Sequence, residues 1–193
     1  MEDAGIAGGR QDHYAAALGG ALRLDFGAAA GGAPCRATRI PLGEAARAAL
    51  ERRLVVVYTG ESRISAATIT GVLDAYRARE PRVTRALARM RVLAAGLAAA
   101  LGAGDVDALG ALVGEHWAHQ RALHPAIATA RIDAIVAAGA RAGALGAKAL
   151  GASGGGCVLL VAADGAEDAV RAAVAELGAA VAWRLDEQGV VVE

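Results

Sequence analysis

Aromatic side chains make up only 3% of this 193-residue chain, and it has two cysteines, four histidines and three serines. With so few large rings, the 55% hydrophobic fraction rests on small side chains, which suits a globular core better than a lipid-facing surface. The most apolar stretch, residues 92–101, is shorter than the roughly 20 residues of a spanning helix, so no transmembrane helix is expected. Cys35 and Cys157 fall in no CxxC spacing, which argues against a zinc site or a disulfide framework and for packed thiols. Twenty basic and twenty acidic residues cancel, with no long run of either sign. Neither nucleic acid nor an anionic membrane is therefore an expected partner. The opening residues, MEDAGIAGG, are acidic where a secretory signal needs basic residues, and a cytoplasmic location is the expectation. Neither GxxxxGK[ST] nor GxGxxG occurs, so a P-loop or Rossmann site has no support.

What the chain does contain is an ordered series of helix and strand signals. A helix is expected over residues 10–18, stopped by Gly19 and Gly20, then a hairpin of strands 21–26 and 35–40. A short helix lies within 41–53, and LVVVYT (54–59) has the β-branched run of a buried strand. Helices follow near 65–77, 83–101, 106–123 and 127–141, with Gly102 as the stop of the second and Asp105 as the N-cap of the third. KALGASGGGCVLLVA (148–162) reads as a hairpin with a glycine-rich tip. Asp164 is expected to cap a helix through Leu177, and two strands, 180–185 and 190–192, to end the chain. Strands early and late around a block of helices predict an α+β fold, with a boundary near 41–53 because the first forty residues offer little core.

Four constellations could carry chemistry. Asp12 in GGRQDHYAAALGG is a candidate general base or charge-stabilising carboxylate, its alternative being a first-turn aspartate favourable to the helix dipole. In YTGESR, Thr59, Ser62 and Arg63 stand at a strand end, where Arg63 can fork onto a phosphate or hydroxyls; the other reading is a Ser62 helix cap beside a surface arginine. GASGGG (151–156) presents backbone N–H groups without obstructing Cβ atoms, as a phosphate cradle does, or is a flexible tip. Its G-x-S-x-G spacing is not read as a hydrolase nucleophile at Ser153, because a strand rather than a helix follows and no histidine lies beyond His124. Glu115, His116, His119 and His124 lack a metal-binding spacing and are read as a solvated helix face, so no metal ligands are assigned.

Taken in order, GRQDHYAAALGG, LVVVYTGESRISAATI, GEHWAHQRAL and IDAIVAAGARAGALGAKALGASGGGCVLLV resemble the C-terminal part of the GHMP small-molecule kinases, nearest to the branch acting on D-glycero-D-manno-heptose 7-phosphate, with fucose kinases next. The resemblance implies a GHMP kinase C-terminal domain over residues 46–193, helices packed on an antiparallel sheet, after a remnant of the N-terminal kinase domain at 1–45. It implies that Asp12 is the catalytic aspartate facing the acceptor hydroxyl. Arg10, Gln11, Thr59, Gly60 and Arg63 would lie near the substrate, and Gly151, Ala152, Ser153, Gly154 and Gly155 near the nucleotide phosphates. Arg10 stands where lysine is usual, His13 where glutamine is, Ser153 where glycine is common, Cys157 where an aromatic is frequent, and Gln120 where lysine is common.

The implied reaction is transfer of the γ-phosphate of ATP, with Mg²⁺, to the anomeric hydroxyl of the heptose phosphate. The family's P-x-G-x-G-L-G-S-S-A phosphate loop has no counterpart among these residues, whose serines are Ser62, Ser65 and Ser153. Two alternatives follow: a non-catalytic module for sugar-phosphate binding or assembly, or one half of a split kinase completed by an N-terminal partner. An apolar face for that half, or for self-association, is also expected.

Overall fold

The computed structural model describes residues 9–27, 35–61 and 66–192. Among these, seven helices and six strands form an α+β fold, as the sequence pattern predicts. Helix α1 (Gln11–Leu18) leads into the antiparallel hairpin β1 (Leu22–Phe26) and β2 (Cys35–Arg39). Helix α2 (Glu44–Arg53) runs directly into β3 (Leu54–Tyr58), and then come α3 (Ala66–Arg77), α4 (Pro81–Ala103), α5 (Val106–Arg121) and α6 (Ala130–Arg141). Strands β4 (Ala144–Ala149) and β5 (Cys157–Ala162), helix α7 (Glu167–Val174) and the short β6 (Ala179–Ala180) complete the order. The main sheet is antiparallel throughout, in the spatial order β4-β5-β3-β6.

Strand alternation divides the core between the two sheet faces. Val55, Val57, Ala147, Ala149, Val158 and Leu160 pack with Ile132 and Ile135 of α6 and Val170 and Val174 of α7. Val161 and Leu54 face the other way, toward Leu50 of α2, Ala100 of α4 and Val106, Leu109 and Val113 of α5. Helix α5 approaches β4 so closely that a Cβ on Gly146 would lie 1.9 Å from the Gly110 carbonyl oxygen and 2.8 Å from the Gly114 nitrogen. Only glycine permits that approach. The contact runs α5 along β4 in a fixed register, which becomes important at the far end of the strand.

Several boundaries differ from the sequence expectation for identifiable reasons. Helix α4 does not stop at Gly102, whose Cβ position is within contact distance of Ile40; it ends at Gly104, left-handed at φ 67°, whose N–H bonds the Ala100 and Leu101 carbonyls. By length and composition the 23-residue α4 is long and apolar enough to cross a membrane, contrary to the expectation from residues 92–101 alone. Within this fold its Val83, Ala86, Leu93 and Ala100 are buried against neighbouring elements. Asp105 caps α5 as expected, accepting from the Ala108 N–H at 2.9 Å.

Asp164 does not cap α7. It accepts from the Arg52 guanidinium at 2.7 Å, a bond that holds its carboxyl below the usual range, while Ala166 occupies the N-cap. The final strands at 180–185 and 190–192 are reduced to Ala179–Ala180. Beyond them the tail follows β3 through sparser bonds, Val181 N–H to the Val56 carbonyl and the Trp183 indole N–H to the Leu54 carbonyl, because β3 gives way there to α2. The tail then closes on α1: Gly20 N–H donates to Asp186 O at 2.6 Å, Val190 N–H to Ala17 O at 3.2 Å, and Arg39 bridges the Leu18 and Glu187 carbonyls.

Candidate functional site

The register Tyr58↔Cys157 sets the end of β3 beside the start of β5, so the segments after β3 and before β5 meet at one end of the sheet. Thr59, 4% exposed, is the hinge of that meeting. Its backbone N–H and its hydroxyl each donate to the Gly156 carbonyl at 2.9 Å. In return Gly156 N–H donates to the Glu61 carbonyl at 2.7 Å. A Cβ on Gly155 would stand 2.6 Å from that same carbonyl oxygen, which explains a glycine there.

The other side of the glycine-rich loop is held by helices. Gln120, buried near the end of α5, donates its side-chain N–H to the Gly151 carbonyl and to Ser153 Oγ, both at 3.1 Å. Gly154 N–H donates to the Ile127 carbonyl at 3.0 Å. That bond belongs with the late start of α6: residues 127–129, expected as helix, are extended or turned, and Thr129 caps α6 by accepting from Ile132 N–H. Ser153 itself is buried with φ 73°, a left-handed conformation that glycine adopts without penalty. The loop is thus a braced turn between two strands and not a strand-to-helix elbow, in agreement with the rejection of Ser153 as a hydrolase nucleophile. Its open side is at Gly151 and Gly156, where an added Cβ would meet nothing within 4 Å.

Lys148, the only lysine of the chain, lies at the base of this loop on β4. Buried Ala147 and Ala149 flank it and face the α6 side, so Lys148 shares the α5 side with Gly146. Burial pushes its ammonium below the usual lysine range, and the negative charge of Asp12 pushes it partly back. His116 of α5 lies on this side as well. Its pKa is lowered to about 4 by burial first, then by the charges of Lys148 and His119, and its Nδ1 is enclosed without a hydrogen-bond partner. The solvated-face reading of the histidine helix therefore fails for His116, although Glu115 does take ordinary surface partners, Arg89 at 2.7 Å and His119 at 3.8 Å.

Asp12 is exposed in the first turn of α1, just after the equally exposed Arg10 and Gln11. Gly60 follows Thr59 with φ 77°. Ser62 and Arg63 lie outside the described residues. The structure therefore ties Thr59 to the glycine loop by hydrogen bonds, whereas Asp12 bears on Lys148 only through the longer-range effect of its charge. Sequence reasoning missed Lys148, Glu61 and the Ile127 carbonyl; the first had a visible signal in being the sole lysine, whereas backbone acceptors leave none. Among the described residues no three His, Cys, Asp or Glu side chains are grouped into an all-protein metal cage.

Residues 97–180 match the family described as GHMP kinases C terminal. Over 162 residues, 83% of this chain, it is 29% identical to the bifunctional fucokinase/GDP-fucose pyrophosphorylase of Arabidopsis thaliana, but spans only 15% of that protein. Among solved structures, mevalonate kinase of L. major superposes with a TM-score of 0.69 at 21% identity, over 89% of this chain and 50% of that one. A D-glycero-D-manno-heptose 1-phosphate kinase from Bacteriodes thetaiotaomicron superposes with a TM-score of 0.61 at 21% identity, over 97% of this chain and 49% of that one. The chain thus spans about half the length of these structural neighbours. Helices packed on an antiparallel sheet, the matched segment 97–180 and these superpositions together identify the fold as that of the GHMP kinase C-terminal domain.

Proposed function

We propose that this chain carries the acceptor side of an ATP-dependent sugar kinase. The observation that supports this best is the convergence of Thr59, Gln120 and the 151–156 loop into one hydrogen-bonded frame, with Lys148 on the strand that leads into the loop. In this reading Asp12 accepts the proton of the acceptor hydroxyl as its oxygen attacks the γ-phosphorus of ATP and the bond to the ADP oxygen breaks. The frame supplies position and fixed dipoles, which is most of what phosphoryl transfer asks of a protein. Arg10, Gln11, Thr59, Gly60 and Arg63 are proposed on the sugar side, and the loop from Gly151 through Ala152 to Gly155 on the phosphate side.

A sugar acceptor is favoured by the Arabidopsis relative, whose name includes a fucokinase. Within that class the proposed acceptor is the anomeric hydroxyl of D-glycero-D-manno-heptose 7-phosphate. The test is ³¹P NMR of ATP, Mg²⁺ and the heptose phosphate with the kinase containing this chain. A new phosphate-ester signal is expected with the wild type and its loss with Asp12→Asn, at unchanged thermal unfolding. Undiminished transfer by the Asn variant would remove Asp12 from the chemistry. Sugar binding without any ATP binding would favour a binding module, and turnover only after adding a second polypeptide would favour a split enzyme.

A further inference from the structure

Residues 73–92, which span the end of α3, the turn after it and the first half of α4, hold six arginines and two acidic residues in a chain of zero formal net charge. Three of the six are paired, Arg77 with Asp74 at 3.1 Å, Arg82 with Glu80 at 3.8 Å and Arg89 with Glu115 at 2.7 Å. Arg79, Arg85 and Arg91 are exposed, and among the described residues their guanidiniums have neither a hydrogen bond nor an ion pair. Two of these three, Arg79 and Arg91, line a groove of about 950 Å³ between the end of α3 and the outer face of α4. Leu87, Ala88 and Val92 of α4 and Tyr76 of α3 supply its apolar surface, with Val92 60% and Tyr76 52% exposed. Among the described residues no acidic side chain lines it. Backbone conformation singles out one of the cations: Arg79 holds φ 56° where α3 closes, its N–H bonding the Tyr76 carbonyl. Gly104 closes α4 in the same left-handed conformation without strain, so a chain with 26 glycines keeps a guanidinium where glycine is the easier residue.

We infer that this groove docks an acidic amphipathic helix of a partner protein. Arg79 stands in the turn before α4, and Arg91 lies about 15 Å along that helix from its first residue, Pro81. Two uncompensated cations so placed, with Tyr76, Leu87 and Val92 beside them, complement a helix that carries carboxylates about two to three turns apart and apolar residues between them. Arginine and tyrosine around an apolar patch are also the side chains that anchor protein interfaces. A concave surface with cations on both its walls fits an inserted helix better than a flat bilayer, which meets only what protrudes. The inference is independent of the kinase reading, because none of these residues belongs to the hydrogen-bonded frame of Thr59, Gln120 and the 151–156 loop.

The probe is a fluorescein-labelled helical peptide of about 18 residues, with leucines along one face and glutamates flanking them, titrated with the full chain and followed by fluorescence anisotropy. Saturable binding is expected, weaker at high salt, and about tenfold weaker for a scrambled peptide of the same composition and for one with lysine in place of glutamate. Arg79→Gly and Arg91→Ala are each expected to weaken binding about threefold and together about tenfold, whereas Arg36→Ala, at an exposed position of the β1–β2 hairpin, leaves it unchanged. Both groove side chains are exposed and glycine suits φ 56°, so thermal unfolding of the variants should be no lower than that of the wild type. No binding at millimolar concentration, equal binding of the scrambled peptide, or binding that the double variant leaves unchanged overturns the inference. So does recruitment of the chain to phosphatidylserine-containing vesicles in place of the peptide.

Discussion

The side-chain amide of Gln120 donates to Ser153 Oγ at 3.1 Å and to the Gly151 carbonyl at the same distance, joining the end of α5 to the glycine-rich loop. Because α5 is in turn locked to β4 by the Gly110, Gly114 and Gly146 approach, the loop inherits the position of the sheet.

Replacing Gln120 with Leu should therefore loosen the loop as well as cost stability. Two acceptors lose a donor in a buried setting, which is worth about 1–3 kcal/mol. Urea denaturation is expected to show that loss, and hydrogen exchange to show faster exchange at Gly154 and Gly156, whose N–H groups bond Ile127 and Glu61. Unchanged exchange at both amides would mean the loop is held without Gln120.

Ser153 allows strain and hydrogen bonding to be separated. Its φ of 73° costs a residue with a Cβ about 1–2 kcal/mol, while its bond from Gln120 returns about 1 kcal/mol. Ser153→Gly removes both and is expected to leave stability within about 1 kcal/mol of wild type; Ser153→Ala keeps the strain, loses the bond, and is expected to be the less stable of the two. Equal stability of the two variants would show that the backbone conformation carries no strain.

His116 predicts a pH dependence with a definite sign. Its folded pKa of about 4 lies below the ordinary 6.5, so between those values the unfolded chain binds more protons than the folded one. Stability from this group is fully present above pH 6.5 and is lost as pH falls toward 4. The urea midpoint of wild type should fall across that interval, and His116→Gln should fall less steeply. Equal slopes would place the imidazole in solvent.

The hairpin, the order of helices and the sheet strands β3, β4 and β5 were legible from apolar runs and glycine punctuation, because those signals are local. What was not legible depended on contacts between distant segments. Gly102 and Gly104 are indistinguishable as stops until Ile40 is packed against the former. Asp164 looks like a cap until Arg52, 112 residues away, takes its carboxylate. The last strands alternate well enough, but the partner strand β3 is too short to pair with them, and side chains of the tail bond Leu54 and Glu51 instead. At the site, Asp12, Thr59 and the glycine loop could be singled out from residue type and spacing. Lys148 and the bracing role of Gln120 emerge only when α5 is laid along β4.

If this chain carries the acceptor side of a sugar kinase, it recognises a sugar phosphate. Calorimetric titration of the full chain with D-glycero-D-manno-heptose 7-phosphate should give saturable binding at one site per chain, weakened by Gln120→Leu and far weaker for the sugar lacking its phosphate. No binding heat at any accessible temperature, or equal affinity for the phosphorylated and unphosphorylated sugar, would contradict it.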